Sequence, residues 1–456
     1  MEARKKKVGV DLTEGSVMKL LLTFAVPMVL AQLLQQLYSA VDLMVIGKFV
    51  GNIGTVGVST GSEISDYATT FAMSIAMGAQ VYISQLAGAK DKENLKEAIG
   101  TMLTLLFGVA IFLLVAVLIF HNAFLRLLNC PEEAWTEAAR YMMITALGLP
   151  FVFGYNGISA MLRGMGESKK PLLFIAISAT VNIFADILFV VVIPLQAAGT
   201  AIATVLSQIG SFVAAFIYMY KHRSSFDFKL KLSYFHINTN ALRRIMRMAI
   251  PQLIRTSCVH LSMLWVKSQI NTFGMVASST YSIGNKVEKF MNVFVAGVDG
   301  AASAMIGQNL GARKLDRVNR VLWCTLLCNL ISVSFVITAF LTIPDTLYGF
   351  FTNEPEVIEF GRTFLQIMSV GMVVMAFAGC FKSIATGSGA ALLALTLGIM
   401  DGVCRILACL IFKYVFHQGA QSYFWGAAFC MLVPGIMSFV YFLSGRWKKK
   451  KLLSET

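Results

Sequence analysis

The sequence predicts an all-α membrane protein: twelve transmembrane helices in two pseudo-symmetric six-helix lobes, a parallel repeat around a central cleft. Three observations predict it. Apolar runs of about 20 residues or more recur along the chain, each long enough to cross roughly 30 Å of hydrocarbon as a helix. Basic residues cluster in alternate loops. The second half also repeats features of the first at a nearly constant offset.

Of the 456 residues, 57% are hydrophobic and 14% charged, and the mean hydropathy is +0.71. A soluble fold of this length would lack the polar surface to cover its core. Within lipid, backbone groups must be satisfied inside their own segment, so each run reads as a helix. The predicted spans are 18–46, 53–84, 97–120, 134–162, 171–193, 197–221, 243–273, 277–308, 320–343, 357–385, 389–416 and 419–443. They divide the chain into a tail (1–17), an N-lobe (18–221), a linker (222–242), a C-lobe (243–443) and a basic tail (444–456). The first apolar run is too long for the core of a cleavable signal peptide.

The basic clusters are Arg4 to Lys7, Lys90 to Lys96, Arg163 to Lys170, Lys221 to Arg247, Arg313 to Arg320 and Arg446 to Lys451. The loops near residues 50, 195, 275 and 350 carry almost none. The positive-inside rule then places both termini in the cytoplasm, with the protein crossing the plasma membrane many times. The net charge of +14 is thereby a mark of topology and not of nucleic-acid binding. The bilayer is the expected partner, and a basic lipid-binding surface is a secondary reading.

Eight cysteines are present, seven of them in apolar spans, and none forms a CxxC pair. No disulfide framework, metal site or cofactor is expected. HExxH, nucleophile-elbow and Walker patterns are missing too, which argues against an enzyme or an ATP-driven pump within this chain.

Ile83-Ser84-Gln85-Leu86-Ala87-Gly88-Ala89-Lys90 resembles Ile306-Gly307-Gln308-Asn309-Leu310-Gly311-Ala312-Arg313, at an offset of 223 residues. The same offset sets Gly148 on Gly371 and Gly164-x-Gly166 on Gly387-x-Gly389. One residue more sets Pro27 on Pro251, the two candidate hinges. Both halves start from the cytoplasmic side, so they form a parallel repeat related by an axis along the membrane normal.

An ionisable group in hydrocarbon costs several kcal/mol, roughly, and so marks a candidate site. Asp186 lies about fifteen residues into an outward-running span, roughly 22 Å deep. Asn182 is one turn away on the same face. Thr204 lies about 10 Å below the outer surface on the next span, and Asp42 near the outer end of the first. Two carboxylates, an amide oxygen and a hydroxyl suit a proton or a monovalent cation. Pro27, about four turns before Asp42, interrupts the hydrogen-bond ladder and offers a place to bend.

These residues also carry a resemblance that covers essentially the whole chain. Pro27 with Tyr38-x-x-x-Asp42, the Gln85 and Gln308 segments, Arg163-Gly164-x-Gly166-x-x-x-x-Pro171 and Asn182-x-x-x-Asp186 resemble the multidrug and toxic compound extrusion (MATE) family. The resemblance implies a V-shaped outward cleft and export of small organic substrates by alternating access, driven by inward H⁺ or Na⁺. It implies that Asp42, Asn182, Asp186 and Thr204 form an N-lobe coupling site. A monomer would suffice, because the cleft lies within one chain. A flippase for a lipid-linked precursor is the alternative. One departure from the family stands out. Some members have a glutamate about eight residues after the proline of the seventh span, whereas Pro251 to His260 contains no acid. Asp401 is the remaining acid expected in that half, without an obvious partner in the sequence.

Repeat-equivalent positions reverse charge. Glu63 falls on Lys286, Asp66 on Lys289 and Asn182 on Arg405. Glu63, Asp66, Lys286 and Lys289 are cavity or gate charges with two readings: salt bridges that close a gate, or a basic C-lobe face that binds an anionic part of the substrate. Arg405 has either a cavity role or a structural one, satisfying carbonyls near a helix break.

Overall fold

The apolar runs fold as helices because their backbone has no partner but itself. The computed structural model describes residues 10–49, 51–128, 130–222 and 236–449, with the side chains of 39–44, 46–56 and 449 outside the description. In chain order the first half holds α1 (Val17–Phe49), α2 (Gly51–Ala89), α3 (Lys92–Leu127), α4 (Trp135–Ala146), α5 (Leu149–Gly164), α6 (Lys169–Asp186) and α7 (Gln196–Lys221). The second half holds α8 (Thr239–Asn271), α9 (Met275–Gly311), α10 (Leu315–Thr342), α11 (Pro344–Gly349), α12 (Pro355–Gly387), α13 (Ala391–Tyr414), α14 (Gln421–Phe429) and α15 (Leu432–Leu443).

Nine helical segments among the described residues are long and apolar enough to cross a membrane, and one bent pair makes a tenth. Counting α2 and α8, which are as long but more polar, completes the twelve predicted paths. The predicted fourth span is that bent pair, broken by 46°. Pro150 has no amide hydrogen for the helical ladder. At the break, Leu147 and Gly148 bond instead to carbonyls three residues back, at 3.1 and 2.9 Å.

The repeat is visible in contacts made separately within each half. A methyl on Gly164 would lie 2.9 Å from Ile83 Cγ2 and 3.0 Å from the Gln80 carbonyl. A methyl on Gly387 would meet Ile306 Cγ2 and the Ser303 carbonyl, both at 2.8 Å, and all three residues are shifted by 223. Gly61 packs on Tyr141 as Gly284 packs on Phe364. The turns match as well. Lys90 and Arg313 adopt φ of 57° and 58°, and Gly166 and Gly389 adopt 85° and 69°.

Two compact units emerge, with boundaries other than the linker. Leu12–Val29 belongs with the chain from Ile250 onward, while Leu30–Ala249 forms the other unit. The reason is packing. Leu21, Phe24 and Ala25 of α1 bury against Ala301, Met305 and Val321 of α9 and α10. Just before α1, Asn309 Nδ2 donates to the Leu12 carbonyl at 3.1 Å and Arg317 Nη1 to that of Gly15 at 2.8 Å. In the other unit, the start of α8 lies on α2, where Gly78 admits Ile245 and Ala249. Asn238, just before α8, donates to Glu97 at 2.5 Å. Each half therefore gives the first part of its first helix to the other unit. Pro27 and Pro251 sit within two residues of the crossing points, inside their helices.

Candidate functional site

Rows of small polar residues line a cavity of about 470 Å³ inside the first unit. On α2 the row is Ser59, Ser62, Glu63, Asp66 and Thr69, at the three- and four-residue spacing that holds one helix face. On α7 it is Thr200, Thr204, Gln208 and Ser211. Tyr38, Tyr141 and Tyr155 add aromatic walls. The volume falls within the range of about 300–1,000 Å³ usual for small-molecule sites.

Ile175 and Ser178 of α6 also line this cavity, and Asn182 and Asp186 continue the same face one and two turns further on. Both are buried, at 1% and 0% exposure, where α6 packs along α7. Directly after Asp186 the helix widens into a π-helical stretch, Ile187–Val192, a distortion that recurs at functional sites because it breaks the regular ladder. Both amide atoms of Asn182 and the hydroxyls of Thr200 and Thr204 are buried with no hydrogen-bond partner among the described residues. An unsatisfied buried polar atom costs about 1–3 kcal/mol, so these groups are costly as packing alone. Three of the four predicted coupling residues thus lie on the adjoining α6 and α7. The side chain of the fourth, Asp42, is outside the described residues.

Glu63 and Asp66, read from the sequence as cavity or gate charges, line the first unit's own cavity. Lys286 and Lys289 are exposed on α9, and Lys286 Nζ stands 6.0 Å from the Phe351 ring centroid. Glu288, between them on α9, accepts from Asn292 Nδ2 at 3.2 Å. Arg405 is 7% exposed and donates from Nη2 to Asp401 Oδ1 at 3.0 Å, one turn earlier on α13. Asp401, for which the sequence offered no partner, thus has one.

Sequence reasoning missed two features. The α7 row extends beyond Thr204 to Thr200 and Gln208, a four-residue polar spacing that an apolar helix rarely carries. It also took Asp401 as the last acid of the second half and passed over Asp299, in the middle of α9. Asn329 Nδ2 of α10 donates to Asp299 Oδ1 at 2.9 Å.

A model of the MatE family matches residues 27–188 and 248–411, one stretch in each half. "Probable multidrug resistance protein YoeA" of Bacillus subtilis (strain 168) is 28% identical over 362 residues, 78% of each chain. "Probable multidrug resistance protein YpnP" of the same organism is 27% identical, over 98% of this chain and 99% of that one. Among solved structures, a MOP superfamily transporter from Pyrococcus furiosus superposes with a TM-score of 0.92 at 19% identity, covering 98% of this chain and all of the other. The matched stretches make up well over half the sequence, and the chain belongs to the MatE family.

Proposed function

We propose that this protein is a secondary active exporter of organic molecules, exchanging them for H⁺ or Na⁺ by alternating access. Transport, not catalysis, is the activity that its family and the names of its relatives support. The observation that carries the reading is the polar first-unit cavity, which holds Glu63 and Asp66 and is lined by Ser178 on the same α6 face as the buried Asn182 and Asp186. Two exposed carboxylates on the cavity wall favour a cationic substrate. Asp186 and Asp42, with Asn182 and Thr204, would take the coupling ion. Its arrival would change the bend of α1 at Pro27 and the shape of the cavity, releasing substrate outward. Pro251 would serve α8 in the same way. Lys286 and Lys289 are left for a gate or for an anionic part of the substrate. The protein would lie in the cell membrane with both termini cytoplasmic and would work as a monomer.

The test is accumulation of a cationic dye in inside-out vesicles, with Na⁺ and pH gradients imposed separately. One gradient should drive uptake, and uptake indifferent to both would overturn the coupling. Glu63→Gln with Asp66→Asn should raise KM for the dye about tenfold, the loss of roughly 1.4 kcal/mol of binding. An unchanged KM would remove the cavity from the assignment.

A further inference from the structure

The second unit handles its buried charge differently. Asp299 of α9 is met from two sides. Asn329 of α10 is fully buried; its Nδ2 donates to Asp299 Oδ1 at 2.9 Å and lies 3.2 Å from the Ala376 carbonyl. From α12, Ser383 Oγ donates to the Asp299 backbone carbonyl at 3.2 Å, and a methyl on Gly379 would strike Asp299 Oδ2. Gly379, Lys382 and Ser383 are spaced as one helix face, so Lys382 belongs to the surface that closes over Asp299. It is half-buried and within Coulomb range of that carboxylate.

The other charges nearby are accounted for. Asp401 is held by Arg405 at 3.0 Å. Arg255 of α8 donates from Nε to Gln252 at 3.1 Å and lies within range of both Asp401 and Lys382. Arg405 also lies within range of Glu288. Lys289 is within range of Glu288 too, so each of the acids Glu288, Asp299 and Asp401 has at least one base near it: Arg405 and Lys289, Lys382, and Arg405 and Arg255 respectively. The shared fold does not require this cluster. At the repeat offset Asp299, Asn329 and Lys382 fall on Ala76, Leu106 and Ser159.

A carboxylate in a low-dielectric interior needs a counter-charge, which an ion from solution or a tethered base can supply. We propose that Lys382 is a tethered cation: its ammonium is the permanent counter-charge of Asp299, filling in the second unit the role that a coupling ion fills in the first. Lys382 is then a positioning residue. It keeps Asp299 charged, so that Asp299 holds Asn329 and ties α9 to α10 and α12. It also confines ion coupling to the first unit, a corollary that rests on the reading of Asp186 given above.

The experiment uses the purified full-length protein carrying Asp186→Asn, melted in sodium chloride or choline chloride at equal ionic strength and at two pH values. With Lys382 present, Tm should show no response to Na⁺ or to acid that depends on Asp299. Adding Lys382→Met should lower Tm and make it rise by on the order of 2–4 °C with Na⁺ or acid, because Asp299 now draws its counter-charge from solution. Adding Asp299→Asn as well should abolish that response and recover Tm, and Lys382→Arg should behave as the parent. A Lys382→Met variant that melts and responds like its parent would overturn the proposal, and so would a response that persists without Asp299. If Lys382→Met does not survive purification, recovery of folded protein on adding Asp299→Asn supports the proposal, and failure to recover it counts against it. A cation response already present in Asp186→Asn refutes the tethered cation if Asp299→Asn removes it. If Asp299→Asn leaves it unchanged, the response belongs to other carboxylates, Asp42 among them, and Lys382→Met must still add a response that Asp299→Asn removes.

Discussion

Arg405 and Asp401 form a buried ion pair one helical turn apart on α13, at 3.0 Å, with their side chains 8% and 3% exposed. Such a pair is a weak source of net stability, but breaking it is costly, because the surviving charge stays buried. Arg405→Met should therefore destabilise the protein by about 3–5 kcal/mol. Asp401→Leu added to it should recover part of that loss. Thermal unfolding of the purified variants measures both.

Asp186 and Asn182 occupy the buried α6 face that continues from the cavity wall. Asp186→Asn should abolish ion-driven efflux while membrane insertion and Tm stay close to wild type, since the amide keeps shape and volume. Thr204→Val, which removes one hydroxyl oxygen from the cavity wall, should weaken coupling by about tenfold or less, as expected for one hydrogen-bonding group. Efflux rates at matched protein levels decide both, and wild-type rates in Asp186→Asn would remove it from the site.

Much of this was legible in the sequence. Apolar runs give helices in lipid with little ambiguity, and glycines at a fixed offset proved to mark matching close contacts, Gly164 on Ile83 and Gly387 on Ile306. Asn182 and Asp186 could be placed on one face because helical spacing is a local property. Sequence spacing could not reveal which unit a helix end joins. That depends on contacts between distant segments, such as Phe24 against Met305. Asp299 was overlooked for a related reason. Its partners, Asn329 and Lys382, stand on two other helices, and no local pattern joins them.

The matched glycines give a paired prediction. Gly164→Ala and Gly387→Ala each place a methyl under 3.0 Å from an isoleucine Cγ2, too close for either helix to accept without shifting. Each should lower stability by about 1–3 kcal/mol, the usual cost of overpacking. Because they lie in separate units, their effects should add in the double variant. Thermal unfolding of the two singles and the double tests this.

Lys286 and Lys289 are exposed on α9, where they could select substrates by charge. Lys286→Ala and Lys289→Ala should shift the preference between cationic and anionic substrates toward the cationic, with the KM ratio changing by about threefold or more, a difference of roughly 0.7 kcal/mol. Competition assays with one substrate of each sign measure the ratio. An unchanged ratio in both variants leaves these lysines no part in substrate choice.

The exchange of first-helix segments also bears on how the chain is made. Phe24 belongs to the same buried cluster as Met305, roughly 280 residues later in the chain. At about 5–20 residues per second, ribosomes need on the order of 15–60 s to cover that distance. Throughout that time the start of α1 is in the membrane without the neighbours that will bury it. The first half cannot complete its packing before the second half is translated, and the second half in turn takes shape around a segment made near the start of synthesis.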